Sequence, residues 1–507
     1  MVKRHKKDSA KTGLNQGQNR YAEKAAKIGP NTPHDTCTER LSPFGGLLAL
    51  AKFMDAVKFR EAFDGFYVPP IRTPEHGHYN TVYGILVLLF IGFTRIWHFQ
   101  YIQRDPLVCG LFGVNMLPHA TTYWRYVASL GINQGQSLLL VMAALRERVW
   151  QLCGLAYNTI HINMDTTVET LFGNQEGGRK GHNTKHRGKK GYRPVLCFIE
   201  ETREYLAGKL RKGATISGKD VAAMIKSFKK YLPACVQNII LRGDGEFLSW
   251  DAVKTAEDEG YVYLFGNKGC KPTFDPTKWY TVRGHGLAEY NECWYKPAGW
   301  PAERRFVVMR IPKEKQQGKT DTQLELLEDG GKVYREFVTN HPGKSHQAID
   351  EYDKRADCEN LIGESKREGL SAIPTHRFMS NYAFFQIVLL AYNLWRSFKM
   401  LAEHGEAEVK KRGDAQKERT SPPLRGIQDN TIRIARLKLL LIAAKLTEHS
   451  NCVKIRYSEH DSRVAGLFGF MSHLDRIRER VRPWIDGSLW QCRHMGFLRP
   501  QTAAHSP

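Results

Sequence analysis

The sequence predicts a mixed α/β protein in which a sheet flanked by helices lies between two helical regions. Three patterns carry that expectation. Before residue 154 apolar residues recur about every 3.6 positions, the period of a helix with one buried face. Between 159 and 265 short alternating or wholly apolar runs are interleaved with two helical patterns, as in a sheet with covering helices. After residue 345 the helical period returns.

At 507 residues the chain is too long for one ordinary core, so several domains are expected. The pattern divides it into 1–35, 36–154, 155–266, 267–342, 343–402 and 403–507. Lys and Arg number 75 against 52 Asp and Glu, a formal net charge of +23, and a polyanion is the natural partner of such a surface. Ten cysteines form no C-x-x-C pair, which supports neither a disulfide framework nor a structural zinc site and fits a reducing compartment. The basic start lacks the apolar stretch of a secretory signal, so no export is expected. The longest apolar run, 82–93, is shorter than the roughly 20 residues that span a bilayer and reads as a core helix, so no membrane is expected.

Residues 1–35 read as a disordered basic arm, explained equally by a solvated tail or a DNA contact. Helices are expected over 47–53, 79–96, 121–130 and 136–152. Within 104–126 two short helical patterns flank Leu117-Pro118-His119-Ala120 and end in Arg125 and Tyr126. That fits a helix-turn-helix and simple core packing alike. The segments 159–164, 168–172 and 193–203 are expected to form a three-strand meander. Helix 218–231, strand 236–241, helix 248–259 and strand 261–265 follow. From 267 to 340 Trp279, Trp294 and Trp300 sit among short β-like runs, which predicts an all-β insertion. Helices are expected at 345–368 and 379–400, a charged linker at 403–423 and an apolar helix at 431–447. Arg476, Arg478, Arg480 and Arg482 form a basic cluster near the end.

Three carboxylates stand out. Phosphoryl transfer on DNA uses hard divalent cations, which carboxylates on rigid elements hold. In the first strand His161, Asn163 and Asp165 share one face and Ile160, Ile162 and Met164 the other, so Asp165 closes the strand on its polar side. An Asp in that place is more often a turn residue. Asp244 follows the apolar Ile239-Ile240-Leu241 inside Arg242-Gly243-Asp244-Gly245, where flanking glycines would admit a phosphate close to the backbone, and where an ordinary Asp-Gly turn is the plainer reading. On a straight helix Tyr352, Arg355, Glu359 and Lys366 would fall within an arc of roughly 60°. Ser345 would be its N-cap and Gly369 its end. A solvated charged helix explains the charges, but not its position after two strand-end aspartates.

Tyr352-x2-Arg355-x3-Glu359-x6-Lys366 resembles the Y-R-E-K signature of the insertion-sequence-four superfamily of bacterial DDE transposases. Asp165-Thr166-Thr167 through Phe172-Gly173-Asn174-Gln175, His186 to Lys190 and Arg242-Gly243-Asp244 look like its IS-thirteen-eighty branch. The resemblance covers about 155–400. It implies a ribonuclease-H-like mixed-sheet core interrupted by a β-rich insertion, with all-helical flanking regions. It implies Asp165, Asp244 and Glu359 as catalytic metal ligands for two magnesium or manganese ions, and Tyr352, Arg355 and Lys366 as DNA contacts. A homodimer on paired terminal inverted repeats, target DNA as a second duplex, and a bacterial cytoplasmic setting at the nucleoid follow. In related transposases an insertion tryptophan supports a flipped base, and Trp279, Trp294 and Trp300 are the candidates here. The loop 179–193 holds seven Lys or Arg, among them Lys185, Arg187, Lys189 and Lys190, and reads either as a phosphate-binding surface or as a solvated hairpin. A structure-specific nuclease and a transposase descendant that only binds DNA are the rival functions.

Overall fold

The computed structural model describes residues 28–181, 186–213, 216–312, 328–329, 331–411, 424–450 and 452–480. Most of the expected basic arm, and Lys185 and Arg482 with it, lies outside them. The chain divides into two compact units after Arg40, and the helices and sheets below belong to the unit that begins at Leu41.

Six helices precede the sheet: α1 (Leu47–Ala56), α2 (Phe59–Phe66), α3 (Gly77–Phe90), α4 (Pro106–Phe112), α5 (Ala120–Ser129) and α6 (Ile132–Leu152). The apolar run of α3 is buried throughout its second half. It stops six residues short of the expected 96, because Gly92 turns the chain at φ 104°, a conformation that L side chains resist. Arg146 of α6 is wholly buried, donating to the Tyr231 and Tyr205 carbonyls at 2.7 and 2.8 Å and pairing with Glu204 at 3.3 Å. Glu204 in turn accepts from the Trp150 indole at 2.8 Å. A buried charge stays tolerable only when paired in this way, and the pairing fastens α6 to the sheet.

Among the described residues the main sheet has ten strands. Nine are β1 (Thr159–Thr166), β2 (Val195–Ile199), β3 (Tyr205–Lys209), β4 (Asn238–Gly243), β5 (Val262–Gly266), β6 (Tyr280–Thr281), β7 (Glu289–Tyr295), β8 (Arg304–Pro312) and β9 (Lys332–Thr339). The two-residue strand Glu328–Asp329 pairs with the start of β9. Their spatial order is β3-β2-β1-β4-β5-β9-β8-β7-β6. Strand β4 pairs parallel with β1 and β5 parallel with β4, while β2 pairs antiparallel with β1 and β3 antiparallel with β2. Helices α7 (Gly218–Ser227) and α8 (Trp250–Asp258) make the crossovers into β4 and β5.

Two sequence expectations about this sheet need correction. The meander is β1-β2-β3: segment 168–172 supplies only Glu169–Thr170 to a separate small sheet with Arg179–Lys180 and Lys190–Tyr192. Segment 193–203 is not one strand, because the chain reverses after Ile199, whose amide bonds the Glu204 carbonyl at 2.9 Å while Arg203 takes φ 58°. The expected insertion is β-rich, and it is continuous with the sheet. Its last strand, β9, pairs antiparallel with β5 and covers an edge that would otherwise present unpaired backbone groups.

The expected helix 345–368 is broken. Helix α9 (Ser345–Asp353) gives way to a 3-10 turn at Lys354–Asp357, then α10 (Cys358–Ser365), then a π-turn at Lys366–Leu370 in which Gly369 sits at φ 120°. The N-cap position belongs to Lys344, and the Ser345 hydroxyl donates instead to Glu292 at 2.7 Å. Helix α11 (Phe378–Lys411) forms the spine of the protein, with Trp395 stacked 4.0 Å from Phe90 of α3. It runs through the beginning of the expected linker, while residues 412–423 lie outside the described set.

The C-terminal region is not all-helical. Helix α12 (Ile432–Leu439) ends early and a hairpin follows, β10 (Ala444–His449) with β11 (Cys452–Tyr457), before α13 (Val464–Arg480). Over the four residues from Ala444 to Thr447 burial alternates with period two, and the apolar residues 439–443 conceal that change of period in the sequence. Among the described residues no single helix is long and apolar enough to cross a membrane. The nine described cysteines are free thiols.

Candidate active site

Strand β1 delivers Asp165 as expected: Ile160, Ile162 and Met164 are fully buried on one side, with His161, Asn163 and Asp165 on the other. Strand β4 runs parallel beside it in the register Asn163↔Arg242, Met164↔Gly243, so the next position on each strand is an aspartate. Neighbouring parallel strands lie about 5 Å apart, which sets Asp165 and Asp244 side by side at the strand ends. Each carboxylate also closes a local turn. Asp165 accepts from the Thr166 amide at 2.7 Å and Asp244 from the Glu246 amide at 3.0 Å. Gly245 allows close packing, since a Cβ there would come within 2.7 Å of the Lys268 Cβ. The turn readings entertained for both aspartates are therefore true of their backbones without exhausting what the side chains do.

Helices α9 and α10 lie across this polar face of the sheet and bring Arg355 to the aspartates. Its Nη2 is 3.1 Å from Asp165 Oδ2 and donates to the Met164 carbonyl at 3.1 Å, while Nη1 donates to the Tyr352 phenol at 3.4 Å. Burial pushes Asp165 up to about 6, with Arg355 pulling it down and Asp244 and Glu359 pushing it up. Asp244 is likewise raised by burial, against the pull of Arg355. Burial opposes the Arg355 charge, but the Tyr352 phenol, Asp165 and Asp244 outweigh it and keep the guanidinium protonated. Two crowded carboxylates thus share one cationic neighbour.

The other residues of the helical motif are placed differently. Tyr352 is buried against Phe337, ring centroids 4.4 Å apart, and burial pushes its phenol up to about 12. Lys366 donates to the Val168 carbonyl at 2.9 Å and pairs with the buried Glu169 at 3.3 Å. Glu359 is exposed at the start of α10. The donor chemistry fits a hard divalent cation: two carboxylates share a strand end and a third is near enough to perturb Asp165 electrostatically. Among the described residues, however, no three acidic, His or Cys side chains are gathered closely enough to hold a metal ion as they stand.

Sequence reading missed the residues behind this centre. Arg242 is wholly buried, bonding Asn163 at 2.9 Å and the Glu351 carbonyl at 2.7 Å and pairing with Glu200. His161 bridges Glu201 at 2.6 Å and Glu351 at 2.8 Å. The polar alternation of β1 was the available signal, because a fully apolar partner face would not require Asn163 and His161 there.

Elsewhere, Arg187, Lys189 and Lys190 are exposed on the small sheet, whereas Arg193 of the same loop is paired with Glu246. Trp279 packs beneath Arg310 at 3.7 Å and Trp300 against Trp250 at 5.4 Å, leaving Trp294 as the exposed candidate at 66%. In α5 Tyr126 is buried, Arg125 is exposed and the Trp124 indole donates to the Pro374 carbonyl at 2.9 Å. Of the C-terminal arginines, Arg478 lies 3.6 Å from Asp55.

No curated protein matches the sequence. A solved cryo-EM structure of piggyBac transposase, a synaptic complex with hairpin DNA, aligns over 91% of this chain and 87% of that chain at 10% identity, and its TM-score of 0.38 is too low to carry an argument. The model of the family described as transposase DDE domain group 1 matches residues 35–479, and the chain belongs to that family.

Proposed function

We propose that this DDE-family protein is a cut-and-paste DNA transposase that cleaves transposon ends and joins them to target DNA. The observation that carries the reading is the placement of Asp165 and Asp244 side by side at the ends of parallel β1 and β4, with Glu359 near enough to act on Asp165 electrostatically. The order β3-β2-β1-β4-β5, three antiparallel strands followed by two parallel ones, supports a ribonuclease-H-like core. A net charge of +23 supports duplex DNA as substrate and target. Family membership supports both.

Asp165 and Asp244 would hold divalent magnesium or manganese, two ions per site, with Glu359 completing the set. Such ions supply Lewis-acid polarisation of a phosphate and a more acidic bound water. The protein's own part is positional. The two strands fix the aspartates, and Arg355 neutralises Asp165 until another cation does so. Arg355 holds Asp165, and Lys366 holds Val168 and Glu169 just beyond β1; exchanging such an internal partner for a phosphate, with Tyr352 behind Arg355, would align the strand to be cut. Arg187, Lys189 and Lys190 offer the flanking duplex a basic surface. Neutralising one phosphate-binding side chain of that loop should reduce the slope of log affinity against log salt by about 0.9. A homodimer on paired ends belongs to the same proposal.

The test is incubation of the protein with terminal-repeat DNA of its own element, magnesium and a target plasmid. Excised ends joined to the plasmid support the proposal. Cleavage without joining would favour a structure-specific nuclease, and binding without cleavage a DNA-binding descendant.

A further inference from the structure

We propose that Arg242 is a positioning residue for this site, a buried guanidinium that fixes the two aspartate-bearing strands against the helical segment carrying Glu359. The inference rests on the transposase reading for its metal chemistry, and on geometry alone for the positioning. Arg242 and Asn163 are register partners, each two residues before a site aspartate, so all four side chains project from the same face. Arg242 Nε donates to Asn163 Oδ1 at 2.9 Å, which locks β4 to β1 through side chains as well as backbone. Its Nη1 donates to the Glu351 carbonyl at 2.7 Å and lies 3.5 Å from the Glu351 carboxylate, and Nη2 pairs with Glu200 on the turn after β2. One rigid, planar fork therefore joins β1, β4, the β2–β3 turn and the end of α9.

The Glu351 carbonyl is the acceptor that the Arg355 amide would use in a continuous α-helix. Its engagement by Arg242 coincides with the 3-10 turn that begins at Lys354, the turn that carries Arg355 towards Asp165 and leads into α10 with Glu359. His161 secures the same point from the other side, bridging Glu351 and Glu201. Removing Arg242 alone leaves Glu200, Glu351 and Asn163 without this partner, so an apolar replacement costs stability whatever its role. A positioning role adds a loss of metal affinity and cleavage in variants that remain folded, and that loss is measurable.

The experiment compares wild type with Arg242→Met, Arg242→Lys and Asn163→Ala, the last removing only the bond across the two strands. Five readouts are needed: thermal melting, Mn2+ affinity of the DNA-free protein by electron paramagnetic resonance, DNA affinity by gel shift, single-turnover cleavage at saturating DNA, and hydrogen exchange over 345–365. In variants that fold, the account expects Mn2+ affinity and cleavage to fall about 10–100-fold, the usual cost of losing an outer partner of a metal ligand. DNA affinity should change less than about twofold, and exchange over 345–365 should rise, with Arg242→Lys closer to wild type than Arg242→Met. If both Arg242 variants fail to fold, Asn163→Ala decides by the same criteria. Wild-type Mn2+ affinity, cleavage and exchange in any folded variant would overturn the proposal. Absence of Mn2+ binding in the wild type would instead count against the transposase reading, and hydrogen exchange would still decide the positioning claim.

Discussion

Asp165 and Asp244 stand on neighbouring parallel strands whose register sets them side by side, whereas Tyr352, Arg355, Glu359 and Lys366 stand on a segment that passes from α-helix to 3-10 turn, α-helix and π-turn. The strand half is held by backbone ladders and by the buried Arg242, so its geometry exists without any ligand. In the helical half three of the four side chains are already engaged internally, and Glu359 remains exposed. Preorganisation is thus unequally divided. The aspartates are already placed side by side, with Asp165 needing only to release Arg355 to receive a cation, and the helical residues must exchange partners to meet DNA.

The largest effect that could break this comparison concerns Glu359. Replacing it with Gln should lower magnesium-dependent cleavage by more than the about 100-fold typical of an outer partner, while leaving the melting temperature unchanged because the side chain is exposed. Melting curves and single-turnover rates on the same preparation check both halves of that statement. A large loss of stability would mean that Glu359 is a structural residue.

Arg355→Ala should destabilise the metal-free protein by about 3 kcal/mol in urea unfolding, since it strips the buried Asp165 of its counter-ion. Lys366→Ala, whose ammonium is more exposed, should cost less, about 1–2 kcal/mol. Equal costs would show that the two anchors of the helical half hold it equally despite their different burial.

The smallest effect is a pH dependence. Asp165 is raised from 3.8 to about 6, so the folded state binds the extra proton between those values and the unfolded state does not. The contribution of this group is therefore most favourable below about pH 4 and is lost as pH rises through about 6. Relative to Asp165→Asn, the metal-free wild type should lose melting temperature across that window and then level off. A difference independent of pH would place Asp165 in a more polar setting than its surroundings indicate.

The strand half was legible in the sequence because a period of two tells which side chains share a face, Asp165 closing an alternating strand and Asp244 following an apolar one. The sequence could not show that the two strands are register neighbours. The helical half is not the straight helix its spacing predicts, and its break coincides with a hydrogen bond from Arg242 to the Glu351 carbonyl, 109 residues apart, which no local pattern displays. Arg242 itself was passed over because an arginine is almost never fully buried without a partner, and its partners lie on other elements. A strand at 168–172 and a hairpin at 179–193 are among the sequence's readings, but two- and three-residue strands carry too little alternation to show that they pair into one small sheet, and the hairpin after α12 is hidden by an apolar run that conceals a change of period.

Asp165→Asn and Asp244→Asn, assayed in parallel by gel shift and by magnesium-dependent cleavage of terminal-repeat DNA, test the central claim most directly. Both substitutions keep the side-chain shape and remove the charge that a hard dication needs. The account predicts DNA affinity within about twofold of wild type, because binding rests on Lys and Arg side chains spread over the surface, together with no detectable cleavage in either variant. Cleavage near the wild-type rate by either one would contradict the assignment of that aspartate to the metal centre.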